Sequence, residues 1–214
     1  MKVFEYNTKE YPFRDIVSDW LEVEDLTKLH EFKEYRLFKR ETDQSSMWHK
    51  MFYNQIRIDN RFDDMYMRFL TEYVKPLYNE ELVYQKIPTF RVHLKNNISV
   101  GDWHKDKMYR NVEWAEKVGE VNYYLPLTKA YGSNTVWAES EEDKGDFNPI
   151  EADYGQCVEW DASNLVHGNK VNRTPQTRVS ADFRVVPKSR YVGSDHLTIN
   201  AKIPFQIGGY YEII

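Results

Sequence analysis

Apolar residues in the first 80 positions recur with the spacing of amphipathic helices. From Arg14 to Phe32 they lie three or four residues apart, with charged residues between them. A clearer helical pattern runs from Asn60 to Leu77, where the apolar face is wide and Pro76 falls near the end. Residues 46–52 predict a short helix, and 33–46 a loop or frayed helix. We therefore expect residues 1–80 to be mostly helical support for the rest of the chain.

From residue 81 onward the apolar spacing becomes that of strands. Residues 81–95 end in strict alternation, which places Arg91 and His93 on one face of a predicted strand. Turn signals separate further strands, predicted over 121–127, 133–139, 155–160, 163–168 and 177–186. Short strands at this spacing indicate a barrel or sandwich. We expect a single domain over 1–214, with its β core over 81–187 and a tail over 188–214 that adds a strand or covers a pocket.

Composition and charge narrow the setting in which the protein works. The 214 residues carry a net charge of −5, which gives no overall attraction to nucleic acid or to an anionic membrane. The chain has no apolar run of about 18 residues and no apolar block at its N-terminus, so neither a membrane span nor a signal peptide is expected. The single cysteine, Cys157, excludes an internal disulfide and is expected to be a buried strand residue. A cytoplasmic protein is predicted.

The segment Val100–Asp106 reads Val-Gly-Asp-Trp-His-Lys-Asp and carries the first candidate chemistry. In an extended strand His104 and Asp106 point the same way and Lys105 points the other way. One nitrogen and one oxygen ligand on one face are two of the three ligands of a 2-His-1-carboxylate iron site. Alone, such a pair is more often just a polar strand end, so its meaning depends on a second histidine from a distant strand.

That histidine and a basic strand follow downstream. His167 precedes Arg178 by eleven residues, and in the strand 177–186 polar and apolar positions alternate. The apolar set can pack on the N-terminal helices while the polar set, Arg178, Ser180, Asp182 and Arg184, faces a cavity. An arginine with a nearby serine hydroxyl is a natural clamp for a carboxylate. Arg178 is the expected clamp, and Arg184 is its rival on the same face.

Together these residues carry a family resemblance. His104-Lys-Asp106, His167 and Arg178-Val-Ser180 resemble the motif of the Fe(II)- and 2-oxoglutarate-dependent oxygenases, which is His-x-Asp, a distal His and an Arg about ten residues later. Residues 132–142, 167–169 and 178–184 are similar to a small bacterial and phage branch that includes an oxygenase-like protein from streptomycin biosynthesis. The resemblance covers roughly residues 90–187.

The resemblance implies a double-stranded β-helix (jelly-roll) core flanked by helices, and a set of site residues. His104, Asp106 and His167 would bind Fe(II) and leave three positions open for 2-oxoglutarate and O2. The co-substrate would be held by Arg178 and Ser180, with further hydrogen bonds from Asn122 and Tyr124. The implied reaction hydroxylates an unactivated C–H bond and releases succinate and CO2, with ascorbate as the reductant in vitro. Asp106 argues against the halogenating variant, which needs a small residue there.

The implied substrate is a small polar metabolite, such as a sugar, an aminocyclitol or an amino-acid derivative. Arg91, His93 and Trp137 are candidates for contacting it, although His93 is as readily explained as a structural histidine. An acidic loop over 141–146 would favour a cationic substrate if it flanked the site, and is otherwise a solvated turn.

Other functions stay open at this stage. The substrate could be a protein or a nucleic acid, although the chain lacks the basic stripe that nucleic-acid binding requires. The protein could also be a non-catalytic cupin-type module that binds a metal or a ligand. Two histidines and one aspartate also bind Zn, Ni, Co or Mn. The sequence does not specify the oligomeric state.

Overall fold

A computed structural model describes residues 1–32, 44–99, 102–198 and 201–214. The loop predicted over 33–46 falls mostly outside this part of the chain, as do Val100 and Gly101. The N-terminal region forms three α-helices: α1 Phe13–Trp20, α2 Met47–Gln55 and α3 Arg61–Phe69. A π-helical turn, Leu70–Val74, and a 3-10 turn, Lys75–Leu77, continue α3. The two helices predicted over 46–52 and 60–77 are thereby confirmed.

The helical pattern over Arg14 to Phe32 is interrupted in the structure. Helix α1 ends at Trp20, and Glu22, two residues later, adopts a left-handed φ of 55°. A separate 3-10 turn, Leu26–Glu31, begins after Asp25, whose side chain accepts a hydrogen bond from the backbone N–H of Thr27. The apolar positions that set the pattern are nevertheless buried in both pieces. Apolar spacing reports which residues face the core, and it does not report a break in the backbone between them.

The described chain also contains twelve strands and a fourth α-helix. They are, in order, β1 Lys2–Glu5, β2 Leu82–Gln85, β3 Thr89–His93, α4 Val112–Val118, β4 Val121–Pro126, β5 Val136–Ala138, β6 Asn148–Pro149, β7 Gln156–Trp160, β8 His167–Asn169, β9 Arg178–Pro187, β10 Ser194–Leu197, β11 Pro204–Phe205 and β12 Tyr211–Ile213.

These strands form one large and two small antiparallel sheets. The large sheet runs β1-β7-β4-β9-β2-β12, and β3 pairs with β9 beside β2. A three-stranded sheet runs β6-β5-β8, and β10 pairs with β11. Each pairing between strands is antiparallel, as a sandwich or barrel built from hairpins requires. Strand β1 is not predicted by the sequence, because this four-residue edge strand is mostly exposed and lacks an alternating pattern.

The large sheet has one apolar face and one polar face. Phe183, Val185 and their apolar neighbours on β9 are fully buried in the same core cluster as the residues of α1, α2 and α3. Cys157 is fully buried in that cluster, as expected. Phe52 of α2 stacks on Phe90 of β3, with ring centroids 4.2 Å apart. The predicted packing of the apolar face on the N-terminal helices is confirmed.

The polar face of the large sheet turns toward the three-stranded sheet. Arg178, Asp182 and Arg184 on β9 line a cavity there, together with Asn122 and Tyr124 on β4. A small apolar cluster that includes Ala138, Ile150 and Val158 packs between the two sheets. The alternation along β9 therefore places charged residues in the interior of the molecule.

The C-terminal tail both adds strands and covers one end of the large sheet. Strand β12 pairs with β2, and Tyr211 lies opposite Gln85. Phe205 and Tyr211 pack with Val118 of α4 in a third apolar cluster. Among the residues that the structure describes, no helix has the length and apolar content needed to cross a bilayer.

The stack of Phe52 on Phe90 predicts a large stability effect. Phe90→Ala should lower the free energy of unfolding by about 3–5 kcal/mol, because a fully buried aromatic ring is replaced by a cavity. Urea unfolding followed by circular dichroism measures this change. Ile58→Ala is the control, because Ile58 is 78% exposed and its truncation should change the free energy by less than about 0.5 kcal/mol. Equal effects of the two substitutions would contradict this packing.

Candidate metal centre

Two backbone hydrogen bonds hold the segment of His104 beside strand β8. The N–H of each of His104 and His167 donates to the carbonyl of the other, at 2.9 Å in both directions. The N–H of Asp106 donates to Ala162 O at 2.9 Å. Lys105 is extended, with φ −99° and ψ 137°, so His104 and Asp106 project to the same side. The backbone thus fixes both parts of the sequence motif against each other.

The three predicted metal ligands meet at one point. Asp106 Oδ1 lies 3.4 Å from His104 Nε2 and 3.6 Å from His167 Nε2. The ligand atoms of all three residues lie within 4.8 Å of one another. Asp106 and His167 are buried, and His104 is partly exposed. This spacing suits a single ion bound by two nitrogens and one oxygen.

The tautomers of both histidines are set by backbone carbonyls. Nδ1 of His104 lies 2.6 Å from Asp102 O, and Nδ1 of His167 lies 3.0 Å from Leu165 O. A carbonyl only accepts hydrogen bonds, so each Nδ1 carries the hydrogen and each Nε2 offers its lone pair when the ring is neutral. Burial lowers the pKa of His167 to about 4, which keeps this ring neutral at pH 7. Such carbonyl partners are typical of histidines that bind metals.

Asp106 is held through its other oxygen. Oδ2 accepts hydrogen bonds from Arg184 Nη2 at 2.6 Å, Arg184 Nε at 3.1 Å and Asn122 Nδ2 at 3.2 Å. Burial alone would raise the pKa of Asp106. The positive charge of the Arg184 guanidinium, with that of Arg110 nearby, outweighs burial, so the pKa lies well below its ordinary value. Asp106 is therefore ionised, with Oδ1 directed at the histidines.

These contacts distinguish the two arginines that the sequence offers as candidates for binding the co-substrate. Arg184 is engaged with Asp106, a predicted metal ligand, and its remaining nitrogen contacts Gln85 and Tyr210, so no nitrogen of this guanidinium is left for a ligand carboxylate. Asn122, predicted to contact the co-substrate, gives its side-chain N–H to Asp106, while its Oδ1 has no hydrogen-bond partner among the described residues.

Arg178 is placed to bind an anion in the same cavity. The residue is buried, Nε donates to Asn134 O at 3.0 Å, and Nη1 donates to Ser180 Oγ at 2.8 Å. Its Nη2 is buried with no hydrogen-bond partner in the described part of the chain, and the same holds for Tyr124 Oη. Unpaired buried polar groups are costly, so a cavity that contains two of them is suited to a polar ligand.

The three residues expected to contact the substrate lie at different depths. Arg91 lines the cavity, where its Nε donates to Asp182 Oδ1 at 3.2 Å. His93 shares the strand face of Arg91 but is fully buried away from the cavity lining, with Asn134 O and Asn97 O each 2.9 Å from one ring nitrogen. Trp137 also lies outside the lining, and its indole N–H donates to Gly132 O at 2.8 Å.

The acidic loop near the site is compensated by lysines. Lys105 Nζ lies 2.9 Å from Glu142 and 2.7 Å from Asp143, and Lys107 Nζ lies 3.0 Å from Glu142. Lys105 lies between His104 and Asp106 in the extended segment and points away from both side chains. The loop thus adds little negative charge with which to attract a cationic substrate.

Trp160 belongs to the site although the sequence reasoning did not select it. Its ring lies 4.9 Å from the His167 ring and nearly perpendicular to it, and its Nε1 has no hydrogen-bond partner within the described ranges. Trp160 of β7 pairs with Asn122 of β4, a predicted site residue. A prediction of this strand pairing would therefore have placed Trp160 at the site.

Comparisons with known proteins gave one relative in sequence and several in structure. No protein-family model matches the chain. The chain is 38% identical over 210 residues to the streptomycin biosynthesis protein StrG of Streptomyces griseus, covering 98% of this chain and 96% of the relative. Its fold is similar to that of CytC3, solved with Fe(II) and alpha-ketoglutarate, with a TM-score of 0.56 and 13% identity over 94% of this chain and 78% of CytC3. At 13% identity, the similarity to CytC3 shows a shared fold.

The burial of His93 predicts a pH effect on stability. Burial and the nearby Arg178 lower its pKa to about 3, against about 6.5 in an unfolded chain, and they outweigh the carbonyls of Asn134 and Asn97, which favour the charged ring. Below pH 6.5 the unfolded chain therefore takes up a proton that the folded chain does not, so stability contributed by neutral His93 is lost as the pH falls from 6.5 toward 3. The loss is at most about 1.4 kcal/mol per pH unit.

Urea unfolding between pH 7 and pH 5 tests this effect. His93→Gln should show a smaller fall in stability over that interval than the unaltered protein. His196→Gln, at an exposed position, should keep the full fall. An unchanged slope in His93→Gln would show that His93 is not the group responsible.

Proposed function

This chain belongs to the family of the streptomycin biosynthesis protein StrG, and from that premise we propose that it is an Fe(II)- and 2-oxoglutarate-dependent oxygenase. The observation that carries the proposal is one cavity that contains both three residues able to bind a metal ion and a buried arginine with an unpaired hydrogen-bond donor. His104, Asp106 and His167 supply the cluster, and Arg178 supplies the donor. The fold shared with CytC3, which was solved with both Fe(II) and alpha-ketoglutarate, supports the same assignment. A seven-stranded and a three-stranded antiparallel sheet with the site between them fit a double-stranded β-helix core.

The donor set fits iron in number and type. Two imidazole nitrogens and one carboxylate oxygen on a single side suit a non-haem Fe(II) site with open positions. The same ligands would also accept Zn, Ni, Co or Mn, so the metal bound after purification would depend on supply. When bound, iron with O2 and 2-oxoglutarate would supply the oxidation of a C–H bond, with release of succinate and CO2.

The chain itself would bind and orient the co-substrate. Arg178 Nη2 and Tyr124 Oη would donate to the distal carboxylate of 2-oxoglutarate, because both are unpaired and line the cavity. Ser180 fixes the guanidinium by accepting a hydrogen bond from Nη1. Burial of these groups excludes water and strengthens the charge-assisted hydrogen bonds. The protein thus contributes position and a dry environment.

The substrate proposed is a small polar metabolite, such as a sugar, an aminocyclitol or an amino-acid derivative. The relative StrG acts in the biosynthesis of streptomycin, a small molecule, which favours a small substrate over a protein or a nucleic acid. The net charge of −5 also opposes nucleic-acid binding. We propose that the resulting product is hydroxylated and that the enzyme works in the cytoplasm.

Succinate formation tests the metal ligands. The purified protein with Fe(II), ascorbate and 2-oxoglutarate under air should form succinate slowly even without substrate, and His167→Ala should abolish this turnover because one of three ligands is lost. His196→Ala is the matched control and should retain turnover. Turnover that survives in His167→Ala would refute the site. Absence of both turnover and 2-oxoglutarate binding in the metal-loaded protein would favour the non-catalytic module instead.

Co-substrate affinity tests Arg178. A hydrogen bond to a charged group contributes about 1.5–3 kcal/mol, so Arg178→Gln should raise the KM for 2-oxoglutarate roughly 10- to 100-fold. Tyr124→Phe should raise the KM less. This second variant keeps the test informative if Arg178→Gln fails to fold. Arg190→Gln, at an exposed arginine, should leave the KM unchanged. Unchanged KM values in both site variants would show that the carboxylate binds elsewhere.

A further inference from the structure

The C-terminal segment, residues 204–214, reaches the metal cluster through one buried arginine. Arg184 gives Nε and Nη2 to Asp106 Oδ2, at 3.1 and 2.6 Å. Its remaining nitrogen, Nη1, lies 3.1 Å from Gln85 Oε1 and 3.3 Å from Tyr210 Oη. The guanidinium therefore bridges a predicted metal ligand on one side and a tail residue on the other.

The pairing of the tail with β2 fixes one outer partner of Arg184, and contacts around the turn between β2 and β3 fix the other. Lys86 N donates to Tyr210 O at 2.9 Å, which anchors the tyrosine backbone next to β12. Gln85 Nε2 donates to Ile87 O at 2.6 Å and to Thr89 Oγ1 at 3.1 Å, so its Oε1 is left to accept from Arg184. The tail thus holds Tyr210, one of the two outer partners of the arginine, in place.

A second chain of contacts connects the tail to Asp106. The Tyr211 hydroxyl donates to Glu120, and Glu120 Oε2 lies 2.9 Å from Arg110 Nε. Arg110 Nη1 donates to the backbone carbonyl of Asp106 at 3.2 Å. This route holds the backbone of Asp106, whereas the first route holds its side chain.

The chemical consequence concerns how many oxygens Asp106 offers. A carboxylate with both oxygens free can bind a metal through one oxygen or through both. Because Arg184 occupies Oδ2 with two hydrogen bonds, only Oδ1 faces the histidines. A single oxygen from Asp106 leaves three of six octahedral positions open for the co-substrate and O2.

We propose that Tyr210 and Arg184 are positioning residues that restrict Asp106 to one metal-binding oxygen, so that the C-terminal segment is part of the metal centre. This inference rests on the proposed metal site. It assigns to the tail a role in metal binding in addition to its role in covering the sheet.

Titration of the metal-free protein with Co(II), followed by calorimetry and by the visible absorption of the bound ion, tests the proposal without turnover. Loss of a residue that orients a ligand typically weakens metal binding by roughly 10- to 100-fold, which is expected for Arg184→Lys. Tyr210→Phe removes one hydroxyl a step further away and should weaken Co(II) binding about three- to tenfold. In both variants the absorption band of Co(II) should change, because the coordination number changes.

Tyr191→Phe is the matched control. Tyr191 also packs in the tail cluster, but its hydroxyl accepts a hydrogen bond from Ile207 N, and it is not among the described partners of Arg184. Thermal unfolding of the metal-free variants separates stability from metal binding. We expect similar melting temperatures for Tyr210→Phe and Tyr191→Phe, and a weaker Co(II) affinity in Tyr210→Phe alone.

The possible failures are distinguishable. If the unaltered protein binds Co(II) and Tyr210→Phe binds it equally well with the same spectrum, the role of the tail is overturned and the metal site stands. If the unaltered protein does not bind Co(II), the metal site and the role of the tail are both overturned. Tyr210→Phe keeps the test decisive should Arg184→Lys fail to fold.

Discussion

The buried ion pair between Asp106 and Arg184 is the interaction on which the site depends. Both residues are almost fully buried, and neither charge would be tolerated there alone, because leaving one member of a buried pair unpaired costs about 3–5 kcal/mol. The pair joins the segment that follows His104 to the central strand β9. It also leaves one oxygen of Asp106 directed at the two histidines. One contact therefore compensates the buried charge and sets the geometry of the three candidate ligands.

Strand β9 shows how the same residue type acquires two roles. Arg178 and Arg184 lie on one face of the strand, and both are buried. Every nitrogen of Arg184 has a protein partner, whereas Arg178 retains an unpaired Nη2 in the cavity. Partners supplied by Asp106, β2 and the tail therefore decide which arginine stabilises the site and which is available to a ligand. The alternation of the strand places both residues but does not distinguish them.

The sequence predicts well the elements in which residues facing solvent alternate with residues facing the core. It predicts poorly which elements lie close to one another. Helix α3 and strand β9 follow directly from apolar spacing, and the family motif correctly brings His167 to the His104 segment. Strand β1 has too few buried residues to leave a pattern. His93 shares the face of Arg91, as predicted, yet it lies outside the cavity lining, because a common face does not specify depth. The pairing of Arg184 with Asp106 depends on where a loop meets a strand, which periodicity does not encode.

The extended segment from His104 to Asp106 also determines where substrate charge can be recognised. Alternation turns the two ligands inward and Lys105 outward, where it pairs with Glu142 and Asp143. Lys107 binds Glu142 as well, so the acidic loop is fastened to the ligand segment and its charge is largely compensated. Under the proposed function, recognition of a polar substrate would then come from groups within the cavity. The ion pair of Arg91 and Asp182 lines it beside the proposed co-substrate site, and two charged groups of opposite sign there suit a neutral polar or zwitterionic molecule better than a strongly cationic one.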